Sequence, residues 1–221
     1  VIDRYNRIHG TPSSFGYNFS SANYDTQRLN LFNDYETMDE DSIISSALDI
    51  YADECTTKNE FGDILTINSE TDEIKEILHN LFYDVLNVEF NLWPWIRGMC
   101  KYGDAYLKLD ITEKYGVTSV TPVSAYEMFR EEGTHPDKPE YTIFWHDPSI
   151  GNVPGPKVAG KKEKLESYEV AHFRLISDTN FLPYGRSMVE PARKTWKQLT
   201  LMEDAMMLHR IMRAPSKRIF R

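Results

Sequence analysis

The stretch "DYETMDED" sets Asp34, Glu36, Asp39 and Asp41 within two turns of chain. Carboxylates grouped in this way can hold Mg²⁺ or Mn²⁺ and activate water, which would make the chain a metal-dependent hydrolase. The same acids at the start of a helix complement its dipole and need no metal. Both readings stay open on sequence alone. Other catalytic patterns are missing. The six histidines (His9, His79, His135, His146, His172, His209) stand singly. In "YGRSMV", Val189 occupies the place of the second glycine of a G-x-S-x-G elbow, so Ser187 is better suited to capping a helix. No phosphate-binding G-x-x-x-x-G-K-[ST] loop and no H-E-x-x-H occur. The pattern points away from catalysis and implies no cofactor and no metal.

A second set of residues carries charge rather than catalysis. The net charge of −9 disfavours a generic nucleic-acid binder. From Leu182 to Arg221, however, nine Lys/Arg face three Asp/Glu, a local balance of +6, which leaves −15 on the rest. Such asymmetry marks either a surface turned toward an anionic partner or a solvated basic helix. Cys55 and Cys100 lack a close metal-ligand companion and read as buried thiols of a cytosolic protein rather than as a disulfide. No run is long enough to span a membrane, and the start carries no signal-peptide pattern. The missing initiator Met and the abrupt end suggest a portion of a longer protein.

These residues need elements to position them. Residues 1–34 read as an extended arm, in which Phe15, Tyr17 and Phe19 alternate and suit a docked strand. A helix begins near "MDEDSIISSALDIYADECTTKN", with an apolar face at Ile43, Ala47, Ile50 and Tyr51. A second is capped by Thr71 and striped by Ile74, Ile77, Leu78, Leu81, Phe82 and Val85. "VEFNLWPWIRGMCKYG" continues helically, with a break or kink expected at Pro94. "AYLKLDI" alternates, with Leu107, Leu109 and Ile111 on one face; "GVTSV", "YEMF", "YTIFW" and "YEVAHFRL" follow as strands. Between the last two lies loop material rich in Pro and Gly. Helices, then strands, then a helix make an α+β fold with a mixed or antiparallel sheet.

The final helix has its own start signal. Ser187 and Glu190 fit a capping box, Pro191 suits the first turn, and Ala214-Pro215 should stop it at Arg213. A helix from Ser187 to Arg213 is roughly 40 Å long at 1.5 Å per residue. One apolar seam holds Met188, Ala192, Trp196, Leu199, Met202 and Met206; another holds Leu201, Ala205, Leu208 and Met212. A polar strip of Arg193, Lys197, Thr200 and Asp204 separates them. Two seams suit a helix flanked on both sides, either by copies of itself or by the rest of its own domain.

Two segments carry a family resemblance. "PYGRSMVEPARKTWKQLTLMEDAMMLHRIMRAPSKRIF" (Pro183 to Phe220) resembles the most characteristic segment of the portal proteins of large contractile-tailed bacteriophages. "YETMDEDSIISSALDIYADECT" (Tyr35 to Thr56) is similar to a second block of the same proteins, at about the right distance upstream. The resemblance implies a ring, usually of twelve subunits, at one vertex of the capsid in the virion, made in the host cytoplasm. Double-stranded DNA would pass through it, non-specifically, during packaging and ejection. The implied partners are the large terminase ATPase, the major capsid protein and scaffold, and neck or adaptor proteins. Residues 35–186 would be an α+β wing, 187–213 a stem helix on the channel wall, and 214–221 the start of the clip. Family members continue well past this length. Arg193, Lys194, Lys197, Arg210, Arg213, Lys217 and Arg218 form the pool of DNA- or subunit-facing charges, and Trp196, Leu199, Met202, Met206, Leu208 and Met212 would pack subunits. A hydrolase, or a capsid scaffold or adaptor that does not touch DNA, remains the alternative.

Overall fold

A computed structural model describes residues 21–132, 141–150, 162–175 and 183–213. Four helices come first: α1 (Ser21–Asp39), α2 (Ser42–Cys55), α3 (Asp72–His79) and α4 (Val88–Tyr102). A single π-helical stretch, Asn80–Val85, prolongs α3. Six strands follow: β1 (Asp104–Thr112), β2 (Gly116–Val123), β3 (Met128–Glu132), β4 (Thr142–His146), β5 (Glu163–Glu166) and β6 (Val170–Arg174). The last element is α5 (Glu190–Arg213). The strands form two antiparallel sheets, ordered β2-β1-β6 and β3-β4-β5. The expected α+β class is the observed one, with a long helix at its end.

Several local expectations need correction. Residues 1–20, with Phe15, Tyr17 and Phe19, lie outside the described residues. From Ser21 onward the chain is helix rather than extended arm. Its polar composition hides a single stripe: Phe32, Tyr35 and Met38 are buried in the core, with Leu29 packed beside them. Tertiary burial holds this helix, not propensity. In α2 the Asp41 side chain accepts from the Ile43 N–H (2.9 Å) and caps the helix, but the buried residues are Leu48 and Ala52. The expected face is turned outward, with Ile43 79% and Ile50 60% exposed. A second apolar stripe, Ile44, Leu48 and Ala52, spaced four residues apart, packs inward instead, and beside it Arg97 of α4 binds Asp49 (2.6 Å) and Ser45 (3.1 Å).

Helix α4 continues through Pro94, so of the break or kink expected there the break does not occur. In β1 the deepest residues include Asp104 and Tyr106 as well as Leu107, while Ile111 lies past a register shift and is exposed. Strand β5, "EKLE", was missed because one apolar residue, Leu165, is all that it places in the core. Its charged neighbours suit the edge position that it fills.

The core joins both sheets to α1. Phe32, Tyr102 and Tyr126 meet edge to face, at 5.1, 5.2 and 5.9 Å between ring centroids. Such pairs add to the burial of their area. Where α4 turns into β1, Gly103 takes φ +89°, and Gly185 lies so close that an added Cβ would sit 2.0 Å from the Gly103 carbonyl oxygen. The Leu175 N–H bonds that same oxygen at 2.9 Å, so the backbones of three segments meet there. Gly185→Ala is therefore expected to cost more than about 3 kcal/mol in urea unfolding. Gly98→Ala, in α4 with open space around it, is expected to stabilise by about 0.5–1 kcal/mol.

Candidate functional site

The root of the long helix is assembled around one carboxylate. Asp104 follows Gly103 directly, so the left-handed turn that ends α4 delivers its side chain into the interior. One oxygen, Oδ1, accepts from His172 Nε2 (2.8 Å) and from the Gly185 N–H (2.8 Å). The other lies 3.8 Å from the Arg28 guanidinium. Arg28 also donates to the Met128 carbonyl (3.0 Å) and the Tyr106 hydroxyl (3.3 Å), and its plane stacks on Tyr184 at 3.9 Å. A charge this deeply buried is tolerated only when paired and hydrogen-bonded.

His172 completes the cluster. Its ring stacks on Tyr106 (4.4 Å) and contacts Arg130 through Nδ1 (2.8 Å). Arginine can only donate, so Nδ1 accepts and the proton sits on Nε2, facing Asp104. Burial lowers the His172 pKa and outweighs the raising effect of Asp104, which keeps the imidazole neutral. One element after another, α1, β1, β3, β6 and the segment before α5, is tied to this point.

The long helix itself starts at Glu190, not Ser187. Ser187 is buried in the preceding turn, where its hydroxyl donates to the Cys100 carbonyl (3.4 Å) and accepts from the Val189 N–H (3.1 Å). The expected capping box is replaced because the Glu190 carboxylate is held elsewhere, by Tyr35 (2.6 Å) and Arg193 (3.1 Å). Arg193 and Lys197 both bind Asp34, at 2.9 and 2.6 Å. Burial pushes the Asp34 pKa up, and the bonds from Lys197 and Arg193 more than offset it, leaving it below its ordinary value. Trp196 packs against the core.

Beyond these two turns the helix has no covering. Every residue from Lys197 to Arg213 is exposed. Leu199, Met202, Met206, Leu208 and Met212 project from the body, as do Lys194 and Arg210. Arg213 is the last described residue of the helix, and Lys217 and Arg218 lie outside the described residues. Leu201, Met207 and Ile211 are exposed as well, and the last two belong to neither expected seam. Apolar side chains therefore surround the rod. Among the described residues, no part of the chain itself sandwiches it.

The acid cluster is committed to structure. Asp39 receives two bonds from Arg97 (2.9 and 3.2 Å) and one from Lys101 (2.8 Å). Glu36 accepts from Tyr102 (3.1 Å), Asp41 caps α2, and Asp34 holds α5. The four carboxylates thus serve four separate sets of partners. Among the described residues no His, Cys, Asp and Glu side chains converge as a metal-ligand group. Sequence reasoning missed Asp104, His172 and Arg28; "KYGD" and "PYGR" were the available signals, each a glycine beside a charged or aromatic residue at an element boundary.

Among the described residues, the helix is thus a rod with an uncovered apolar surface, clamped at its root to an α+β body. A profile of the family described as "Bacteriophage T4-like portal protein (Gp20)" matches residues 28–221. The chain belongs to this family of T4-like phage portal proteins. A comparison with curated proteins finds no match.

The Asp39 cluster gives a pH test. Burial raises the Asp39 pKa, but the bonds and charges of Arg97 and Lys101 bring it down to about 2, against an ordinary 3.8. A lowered folded-state value means stability that is present above pH 3.8 and lost as pH falls toward 2. The unfolding-midpoint difference between wild type and Asp39→Asn is expected to be constant at neutral pH and to shrink across that acidic window.

Proposed function

We propose that the chain is a ring-forming part of a phage portal, the conduit for double-stranded DNA at the capsid vertex. The carrying observation is the uncovered rod from Lys197 to Arg213 in a chain of the portal family. Monomers rarely leave a contiguous apolar surface of this kind in water. A cyclic, heterologous contact buries such a helix on two sides at once, which two flanking copies provide. Methionines at Met202, Met206, Met207 and Met212 suit helix faces that shift against each other, because the thioether side chain is unbranched and adaptable.

On this reading the body up to Arg186 is the wing, α5 is the stem helix, and residues 214–221 lead toward the clip and the large terminase ATPase. The major capsid protein, scaffold and neck proteins would meet other surfaces of the ring. Sliding DNA calls for diffuse contacts to phosphates, without base reading. Lys194, Arg210 and Arg213, with Lys217 and Arg218 beyond them, are the cations that supply such contacts. The family is structural rather than enzymatic, and the hydrolase alternative loses its support because each candidate carboxylate already has its own partner. No helix among the described residues is long and apolar enough to cross a membrane.

The full-length protein is expected to form closed rings with a central hole by electron microscopy. Leu201→Glu with Leu208→Glu should yield single subunits, with the body's stability unchanged to within about 0.5 kcal/mol. Retention of duplex DNA by the ring should weaken with salt. Lys217→Gln with Arg218→Gln should flatten that dependence, lowering the slope by about 2 for each subunit that meets DNA, at about 1 per phosphate contact. Rings that retain no DNA at low salt would point to a scaffold or adaptor.

A further inference from the structure

Arg193 and Lys197 sit on the polar strip of α5, where a DNA-facing role is the first thought, yet both converge on one oxygen of Asp34 (2.9 and 2.6 Å). Next to this contact, Tyr35 donates to Glu190 (2.6 Å), and Glu190 in turn meets Arg193 (3.1 Å). Two successive residues of α1 thus grip two successive turns of α5. Among the described residues, everything after Lys197 as far as Met212 is exposed. Resting on the portal reading above, we propose that Asp34 is a positioning residue, an ionic strut that sets the angle at which α5 leaves the body and thereby the number of subunits that close the ring.

The mechanics follow from length. From Lys197 to Arg213 the helix extends about 24 Å at 1.5 Å per residue, so turning its root by about 5° moves the far end by about 2 Å. A cyclic contact repeats that error at every subunit, and the ring then closes with a different number or not at all. Arg193 and Lys197 are held in place by the strut and are not the residues that touch DNA. The strut joins side chains that remain partly exposed, Asp34 at 26% and Lys197 at 49%, so charge substitutions there need not disturb the core.

The test uses the full-length protein. Asp34→Lys is expected to lose the single wild-type ring size, giving mixed or open assemblies in electron micrographs, while circular dichroism and the unfolding midpoint of the body stay close to wild type. Reversing the whole contact, with Asp34→Lys, Glu190→Lys, Arg193→Glu and Lys197→Glu together so that Glu190 does not face a like charge, is expected to restore the single ring size and to retain DNA as wild type does. The restored size would not follow from a loss of folding, and the retained DNA would not follow if Arg193 and Lys197 met phosphates. Asp34→Lys rings of unchanged size, or a fully reversed variant that stays mixed, would overturn the strut. A reversed variant that regains its size but loses DNA would overturn the separation of strut from DNA contact. A wild-type protein that forms no ring would overturn the portal reading itself, a result distinct from all of these.

Discussion

The buried Asp104 carboxylate is the constraint on which the remaining architecture depends. It lies at the point where α4 becomes β1, and one of its oxygens bonds both His172 of β6 and the backbone N–H of Gly185, just ahead of the long helix. Arg28, from α1, supplies the balancing charge. Removing any one partner would leave a charge or a donor stranded in the interior, which costs several kcal/mol, so the elements around it hold together or fail together. The near contact of Gly103 and Gly185 makes the same demand sterically. Charge and backbone packing thus fix where the helix root can be.

From that root outward the physics changes. The first two turns of α5 are held by ion pairs to Asp34 and by Trp196 against the core, and among the described residues the stretch from Gln198 to Met212 is exposed. A lone helix of that length is marginal in water, because nucleation is costly and apolar side chains gain nothing while exposed. Its stability is therefore best explained by contacts with further chain, supplied on the portal reading by neighbouring copies. The charge asymmetry of the sequence takes on meaning here: the acidic residues near α1 fasten the body together and grip the rod, while the basic residues lie on the rod and beyond it.

Much of this was legible in the sequence, for definite reasons. The long terminal helix announced itself through apolar residues at helical spacing and Pro215 as its expected stop. The strands of "AYLKLDI" and "YTIFW" followed from alternation and aromatic content. What failed to show was anything decided across the fold. Helix α1 looked unstructured because its stability comes from Phe32, Tyr35 and Met38 meeting distant residues, not from its own pattern. The buried side of α2 was misjudged because the helix carries two apolar stripes, and only the distant core decides that Ile44, Leu48 and Ala52 form the one that packs. The acid cluster suggested a metal, since spacing along a chain cannot reveal that Arg97, Lys101, Arg193 and Lys197 arrive to neutralise it. The Asp104 cluster was hidden for the same reason, with its members drawn from four separate strands and helices.

Hydrogen exchange along α5 tests the central claim most directly. With single subunits and assembled full-length protein compared under the same conditions, the amides of Lys197–Arg213 should exchange quickly in the subunit and slowly in the assembly, while those of β1 and β6 stay slow in both. Slow exchange of the rod in an isolated subunit, or no added protection on assembly, would contradict the account.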